Sequence, residues 1–320
     1  MIEEKTVLII GAGASKPYGY PTGIELIKLI GDNCLDVIEN LKYYQEGPTK
    51  KILSLYAYDL QDIIKNNSNP DDQIDWILTR FEKVKPYLYD IGRMLIINFI
   101  LTAENKNFDA ESDNLICQPR ENWYQELFSL MTKPIDFDPN PDLFKQNKVK
   151  FLTFNYDRSL DYFLKTKIER FYKNIGYNPN TGLIYSDFKP IHIYGVISDL
   201  LNDNSFGFYE NKVKYLDAHK SDIELIRSNT GSRIKNEIKS YISKANKIYF
   251  LGFGYDNRNL HQLGFPGIIN EKHKIYGTAH NKSDTQIKNI KNKILGDKPV
   301  SIFNVINCSC LELLQEFPPD

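Results

Sequence analysis

The chain has 320 residues, with 40 Lys and Arg against 41 Asp and Glu, a formal net charge of -1. Hydrophobic residues make up 42% and charged residues 25%, which excludes wholesale disorder. A balance so near zero excludes a polyanion binder held on by bulk electrostatics, so no direct nucleic-acid binding is expected.

The N-terminal Met1-Ile2-Glu3-Glu4-Lys5 is acidic, and the apolar run behind it stops at Gly11, unlike a signal peptide. The longest apolar stretch, Met94 to Leu101, is broken by Asn98 and falls short of a membrane span. The four cysteines form no CxxC pair and no finger-like spacing with the five histidines. The expectation is a cytoplasmic protein with free thiols, no zinc and no other metal.

In chain order, Lys5 to Ile10 reads as a short buried strand closed by glycine. The loop Gly11 to Gly19 leads into a helix from Thr22 to Ile30. From Leu35 to Lys133 the pattern is helical. Its clearest piece begins at the cap signal Asp71/Asp72, runs through Ile74, Ile77, Leu78 and Phe81, and breaks at Pro86. Helices are predicted over Tyr87 to Ala103 and Glu121 to Thr132, with a proline-rich connector from Pro134 to Pro141. Strand signals return at Val149 to Phe154, Pro190 to Ile197, Lys247 to Phe253, Lys274 to Tyr276 and Val300 to Ile306. Helical or loop segments separate them, which favours crossovers and a parallel sheet. The predicted fold is α/β, a Rossmann-like doubly wound parallel sheet built from residues 1–34 and 145–320. A helical insertion occupies residues 35–144.

Five strand ends carry residues suited to chemistry. Gly11-Ala12-Gly13-Ala14-Ser15 offers glycines that let backbone approach a pyrophosphate and N–H groups that could cradle it. Lys16 stands where a third fingerprint glycine would be, and no acidic second strand follows, so a dehydrogenase is not indicated. The loop continuing through Pro21 and Thr22 is long enough to lie over a ligand. Asn155, in Phe154-Asn155-Tyr156-Asp157, offers a donor and an acceptor for a water or a ribose hydroxyl. Asp157 is expected to cap the helix Arg158 to Lys167. His192 and Tyr194 precede Gly195 and would share one strand face, with His192 suited to general-base work. Gly252-Phe253-Gly254 and Thr278 close two further strands. A tight turn for the glycines and a satisfied core group for His192 are the bland alternatives. Asp75 and Trp76 read as a surface carboxylate beside a core aromatic. The stretch Glu271 to Lys298, with seven lysines against three acids, reads as solvated helix surface.

Taken together, these segments resemble the sirtuin-like NAD hydrolases of bacteria. The matching residues are Gly11-Ala-Gly-Ala-Ser15 with Gly19-Tyr-Pro21, then Phe154-Asn-Tyr-Asp157, His192-Ile-Tyr-Gly195 and Leu251-Gly-Phe-Gly254. The order and spacing agree from residue 5 to about residue 295. No four-cysteine zinc module is present, so the resemblance points to the zinc-less branch. It implies cleavage of the nicotinamide–ribose bond of NAD+, no cofactor beyond that substrate, and a role in antiphage defence through NAD+ depletion. It also implies a homo-oligomer and, in some members, pairing with a hexameric DNA-translocase ATPase.

On this resemblance Gly11 to Ser15 hold the pyrophosphate, and Pro21 and Thr22 belong to the same NAD+ site. Asn155 serves the ribose and the attacking water. Gly195, Gly252, Phe253, Gly254 and Thr278 complete the dinucleotide site. Sirtuins carry the catalytic histidine directly before the third-motif glycine, where this chain has Tyr194. His192 is therefore expected to take that role, with Tyr194 or Asp157 as alternatives. A catalytically inactive regulatory subunit that binds NAD+ or ADP-ribose is the competing reading.

Overall fold

The computed structural model describes residues 1–40, 48–67, 73–133, 142–177, 180–200, 206 and 232–319. The connector expected at Pro134 to Pro141 and the Asp71/Asp72 cap signal lie outside them.

Six parallel strands form the main sheet, in the spatial order β5-β4-β1-β6-β7-β8. They are β1 (Thr6–Ile10), β4 (Val149–Thr153), β5 (Ile191–His192), β6 (Lys247–Leu251), β7 (Lys274–Thr278) and β8 (Ile302–Ile306). A short antiparallel ribbon, β2 (Phe108–Asp109) and β3 (Asn114–Leu115), stands apart. Counting only the six sheet strands, the order is 3-2-1-4-5-6, that of a Rossmann-like doubly wound sheet. The chain reverses direction across the sheet between β1 and β6. Both are buried along their whole length, as expected of strands covered on both faces.

The first helix, α1 (Gly23–Asn40), starts at a Thr22-x-x-Glu25 capping arrangement: Glu25 N donates to Thr22 Oγ1, and Glu25 Oε2 accepts from Thr22 N at 2.9 Å. Leu26, Ile30, Cys34 and Ile38 recur every fourth residue and are buried, so the helix runs past the predicted end at Ile30. The boundary expected at residue 34 therefore falls inside α1, whose distal half packs on α2 (Pro48–Asn67). Gly31 makes that approach possible: a Cβ there would lie 2.7 Å from Ile64.

Two further insert helices follow, α3 (Ile74–Phe81) and α4 (Tyr87–Lys106). Met94 to Ile97 are all buried in α4, which makes the longest apolar stretch a core helix of the insert. The helix α5 (Trp123–Thr132) packs against the C-terminal helix Cys310–Glu316 and against α7 (Ser159–Asn174), which follows the short α6 (Asp142–Lys145) and β4 in the chain. No helix among the described residues is long and apolar enough to cross a membrane.

One strand differs from expectation. The edge strand β5 pairs with β4 only at Ile191 and His192. Gly195 then adopts φ +76 and its N–H donates to the His192 carbonyl at 3.3 Å, so the chain turns rather than extending to Ile197. His192 and Tyr194 consequently do not share a strand face.

Candidate functional site at the strand ends

The carboxyl ends of β1, β4 and β6 meet at the point where the strand order reverses, the place where open parallel sheets bind ligands. The loop after β1 forms two short 3-10 turns, Ala12–Ala14 and Lys16–Tyr18. It is held firmly. Trp123 Nε1 donates to the Ala14 carbonyl at 2.8 Å, and Tyr18 stacks on Tyr124 with ring centroids 3.8 Å apart.

The glycines of this loop answer first to the protein. Gly11 N–H donates to the Leu251 carbonyl and Gly13 N–H to the Gly252 carbonyl. A Cβ on Gly11 would sit 2.6 Å from the Gly252 oxygen, and one on Gly13 2.9 Å from it. Gly252 itself adopts φ +56, and its N–H donates to Thr278 Oγ1 at 2.9 Å. The N–H groups of Ala14 and Ser15 close the 3-10 turn on Gly11 and Ala12 carbonyls. Four of the five amides expected to cradle a pyrophosphate are thus taken up within the protein. Thr22 spends its hydroxyl on Glu25, and Thr278 spends its own on the Gly252 loop. Pro21 and Gly195 are half-buried, Phe253 is buried and Gly254 is exposed.

Asn155 is different. It is 7% exposed, just beyond β4, and its Nδ2 donates to the Gly11 carbonyl at 3.1 Å and to Ser15 Oγ at 2.9 Å. Its Oδ1 is buried with no hydrogen-bond partner. A buried orphan acceptor costs free energy, on the order of 1–3 kcal/mol, unless something outside the chain supplies its hydrogen bond. Asp157 is buried in the same cluster, and desolvation raises its carboxyl, against the lowering effect of Ser159 and Ser15. Asp157 is not the cap expected of it: Arg158 holds the N-cap position of α7, and Asp157, one residue earlier, accepts from Ser159 N–H at 3.1 Å.

His192 faces acceptors on both ring nitrogens. Nδ1 lies 2.9 Å from the Asn155 carbonyl oxygen and Nε2 3.0 Å from Asp161 Oδ2. Carbonyl and carboxylate oxygens only accept, so an imidazolium donating from both nitrogens satisfies the arrangement. Burial opposes that charge, but Asp161 outweighs it, and the ring holds its proton above the usual histidine range. Neither nitrogen is left for a substrate proton, so the general-base step expected of His192 is not available in this arrangement. Tyr194 turns elsewhere: its hydroxyl donates to Asn259 Oδ1 at 2.7 Å, and its ring packs edge-on against Phe154. Burial pushes its phenol far up.

The insert contributes a carboxyl that the sequence reading misplaced. Asp75 is 7% exposed rather than on the surface, and it accepts a short hydrogen bond from Tyr156. Desolvation pushes it up to about 6, against the lowering effect of that bond. Beside it, Trp76 carries the Arg258 guanidinium 3.3 Å above its ring. A second clamp joins Glu104 of α4 to Arg158, both fully buried, through bonds at 3.0 and 3.2 Å. The insert is therefore fastened onto the same strand ends that carry Asn155. A cleft lined by Glu169, Tyr172, Lys173 and Tyr177 lies at the far end of α7, away from this cluster. Among the described residues, no three His, Cys, Asp or Glu side chains cluster as metal ligands would. No protein-family model matches the chain, and no curated protein matches it.

Proposed function

We propose that the protein hydrolyses NAD+, breaking the bond between nicotinamide and ribose to give nicotinamide and ADP-ribose. The observation that carries this reading is the buried, unpartnered Oδ1 of Asn155 at the switch point of a 3-2-1-4-5-6 sheet. Such an acceptor suits a ribose hydroxyl or the attacking water.

The chemistry asks little acid–base help. The C1′–N1 bond breaks with its electron pair moving onto the nicotinamide nitrogen, which leaves as a neutral ring. Water adds to the oxocarbenium-like C1′ and loses a proton. Asn155 would hold the water or ribose hydroxyl by Oδ1, with its own side chain fixed by Gly11 and Ser15. Asp157, buried in the turn that carries Asn155, would receive the proton. His192 acts by holding the Asn155 main chain rather than as the base. Depletion of NAD+ is the cellular consequence, as expected of the antiphage branch.

A second reading has its own support. The engaged ring of His192 and the Tyr194–Asn259 hydrogen bond suit a regulatory subunit that binds NAD+ or ADP-ribose without turnover. Release of nicotinamide from NAD+ by the purified protein, abolished by Asn155→Ala, supports the hydrolase. Binding of ADP-ribose in calorimetry without release supports the regulatory subunit, and neither release nor binding overturns both.

A further inference from the structure

Asp161 occupies the first turn of α7 and is 4% exposed. Its two oxygens are divided between two partners: Tyr185, on α8 (Thr181–Phe188), donates its hydroxyl to Oδ1 at 3.0 Å, and His192 Nε2 meets Oδ2 at 3.0 Å. Tyr185 is 1% exposed, and the side chains of His192 and Asp161 are each 5% exposed. From the other side of the imidazole, Nδ1 grips the Asn155 carbonyl. A chain of hydrogen bonds thus runs from Tyr185 through Asp161 and His192 to the main chain of Asn155. The side chain of Asn155 is held independently by Gly11 and Ser15.

A buried ion pair is a poor device for stability, because desolvation of two charges consumes most of what their attraction supplies. This one sits where it fixes a single peptide carbonyl. Fixing both the main chain and the amide of Asn155 leaves its Oδ1 one direction in which to point. The charged and titratable groups facing the imidazole are Asp161 from α7, Tyr185 of α8 behind it, and Asp157 from the turn after β4.

We propose that Asp161 is a positioning residue for Asn155, acting through His192 and supported by Tyr185. The inference rests on the reading of the strand ends as a ribose site. It concerns hydrogen bonding rather than charge, and that distinction makes it testable. An Asn at position 161 can still accept from Tyr185 and donate to a neutral imidazole, which keeps its remaining proton on Nδ1 for the Asn155 carbonyl. An Ala can do neither.

The test compares nicotinamide release by the parent, Asp161→Asn and Asp161→Ala, with the His192 ring followed by NMR across pH and assigned by His192→Gln. The parent ring is expected to titrate above the ordinary value of about 6.5. Both Asp161 variants lower that midpoint. Asp161→Ala is expected to lower kcat about a hundred-fold, the scale of an ångström's misplacement, with KM little changed. Asp161→Asn is expected to keep kcat within about ten-fold of the parent, one hydrogen bond's worth of rate. Should Asp161→Ala fail to fold, Tyr185→Phe carries the test, with a fall of about ten-fold in kcat expected. An unchanged kcat in Asp161→Ala or in Tyr185→Phe, or equal losses in the Ala and Asn variants, each overturn the proposal. A parent that neither turns over NAD+ nor binds ADP-ribose overturns the ribose site itself. A parent that turns over normally, with Asp161→Ala indifferent, overturns the positioning role alone.

Discussion

Gly13 and Gly252 cross backbone to backbone: the Gly13 N–H donates to the Gly252 carbonyl at 3.0 Å, and a Cβ on Gly252 would fall 1.9 Å from the Ala14 nitrogen. Two loops from strands adjacent in the sheet but separated by more than two hundred residues in the chain are locked together at this point. The glycine pattern that suggests phosphate binding is used here to let the switch point close on itself.

Gly252→Ala is therefore expected to destabilise the protein severely. A non-glycine residue at φ +56 costs about 1–2 kcal/mol on its own, and the backbone clash adds to it. Gly254→Ala is the matched control, since nothing lies within 4 Å of a Cβ there. It should change stability by no more than about 0.5 kcal/mol. Denaturant unfolding of the two variants checks both statements. Equal midpoints would show that the loop crossing is not needed for stability.

Asn155→Ala should separate stability from activity. The variant loses hydrogen bonds to Gly11 and Ser15, but it also removes a buried oxygen that has no partner. The net cost should stay within about 1–2 kcal/mol. Nicotinamide release should fall by about a hundred- to a thousand-fold, the usual loss on removing one preorganised hydrogen-bonding group. A large loss of thermal stability with only a proportionate loss of rate would make Asn155 a structural residue.

The strands β1, β4, β6, β7 and β8 were legible from short runs rich in Ile, Val, Tyr and Phe, whereas β5 was drawn too long because the turn at Gly195 leaves no apolar break. The helix α1 was legible over Thr22 to Ile30 from its apolar spacing, and its continuation to Asn40 was not, because that half packs on α2, which is distant in sequence. Asn155 stood out as an amide at a strand end. Its supports did not. His192 meets Asp161 across 31 residues, Arg158 meets Glu104 across 54, and Tyr156 meets Asp75 across 81. Pairings this distant leave no local periodicity, and a helical Asp beside Trp reads as surface until the fold covers it. The share of Gly11 and Gly13 in loop packing was hidden for the same reason, since their neighbour Gly252 is remote in sequence.

Glu104→Ala should be among the most damaging substitutions in the insert. Glu104 and Arg158 are both 0% exposed and joined in a two-pronged pair, with Arg158 also bonded to Ser198. Removing one partner takes from the buried guanidinium the carboxylate it faces, at a cost of about 3–5 kcal/mol. Glu104→Gln keeps an acceptor for one prong and should fall between. Urea titrations of the three proteins order them parent, Gln, Ala. A Glu104→Ala protein as stable as the parent would mean that water reaches Arg158.

Asp75 provides the pH test. Its carboxyl is raised from 3.8 to about 6 in the folded protein by burial, with the Tyr156 hydrogen bond opposing. A raised acid binds its proton more tightly folded than unfolded. Its favourable contribution is therefore complete below the unfolded value near pH 4, and it is lost as pH rises through about 6. At neutral pH the buried carboxylate costs about 3 kcal/mol relative to its protonated form, at 1.36 kcal/mol per pH unit. Asp75→Asn keeps an oxygen for Tyr156 and has no charge to bury. Its stability relative to the parent should rise between about pH 4 and pH 6 and level off above. Chemical denaturation of both proteins across that window, with Tyr156→Phe alongside, measures the difference. A gap that stays constant with pH would place the Asp75 titration outside the folded protein's range. A gap that closes as pH rises would reverse its sign.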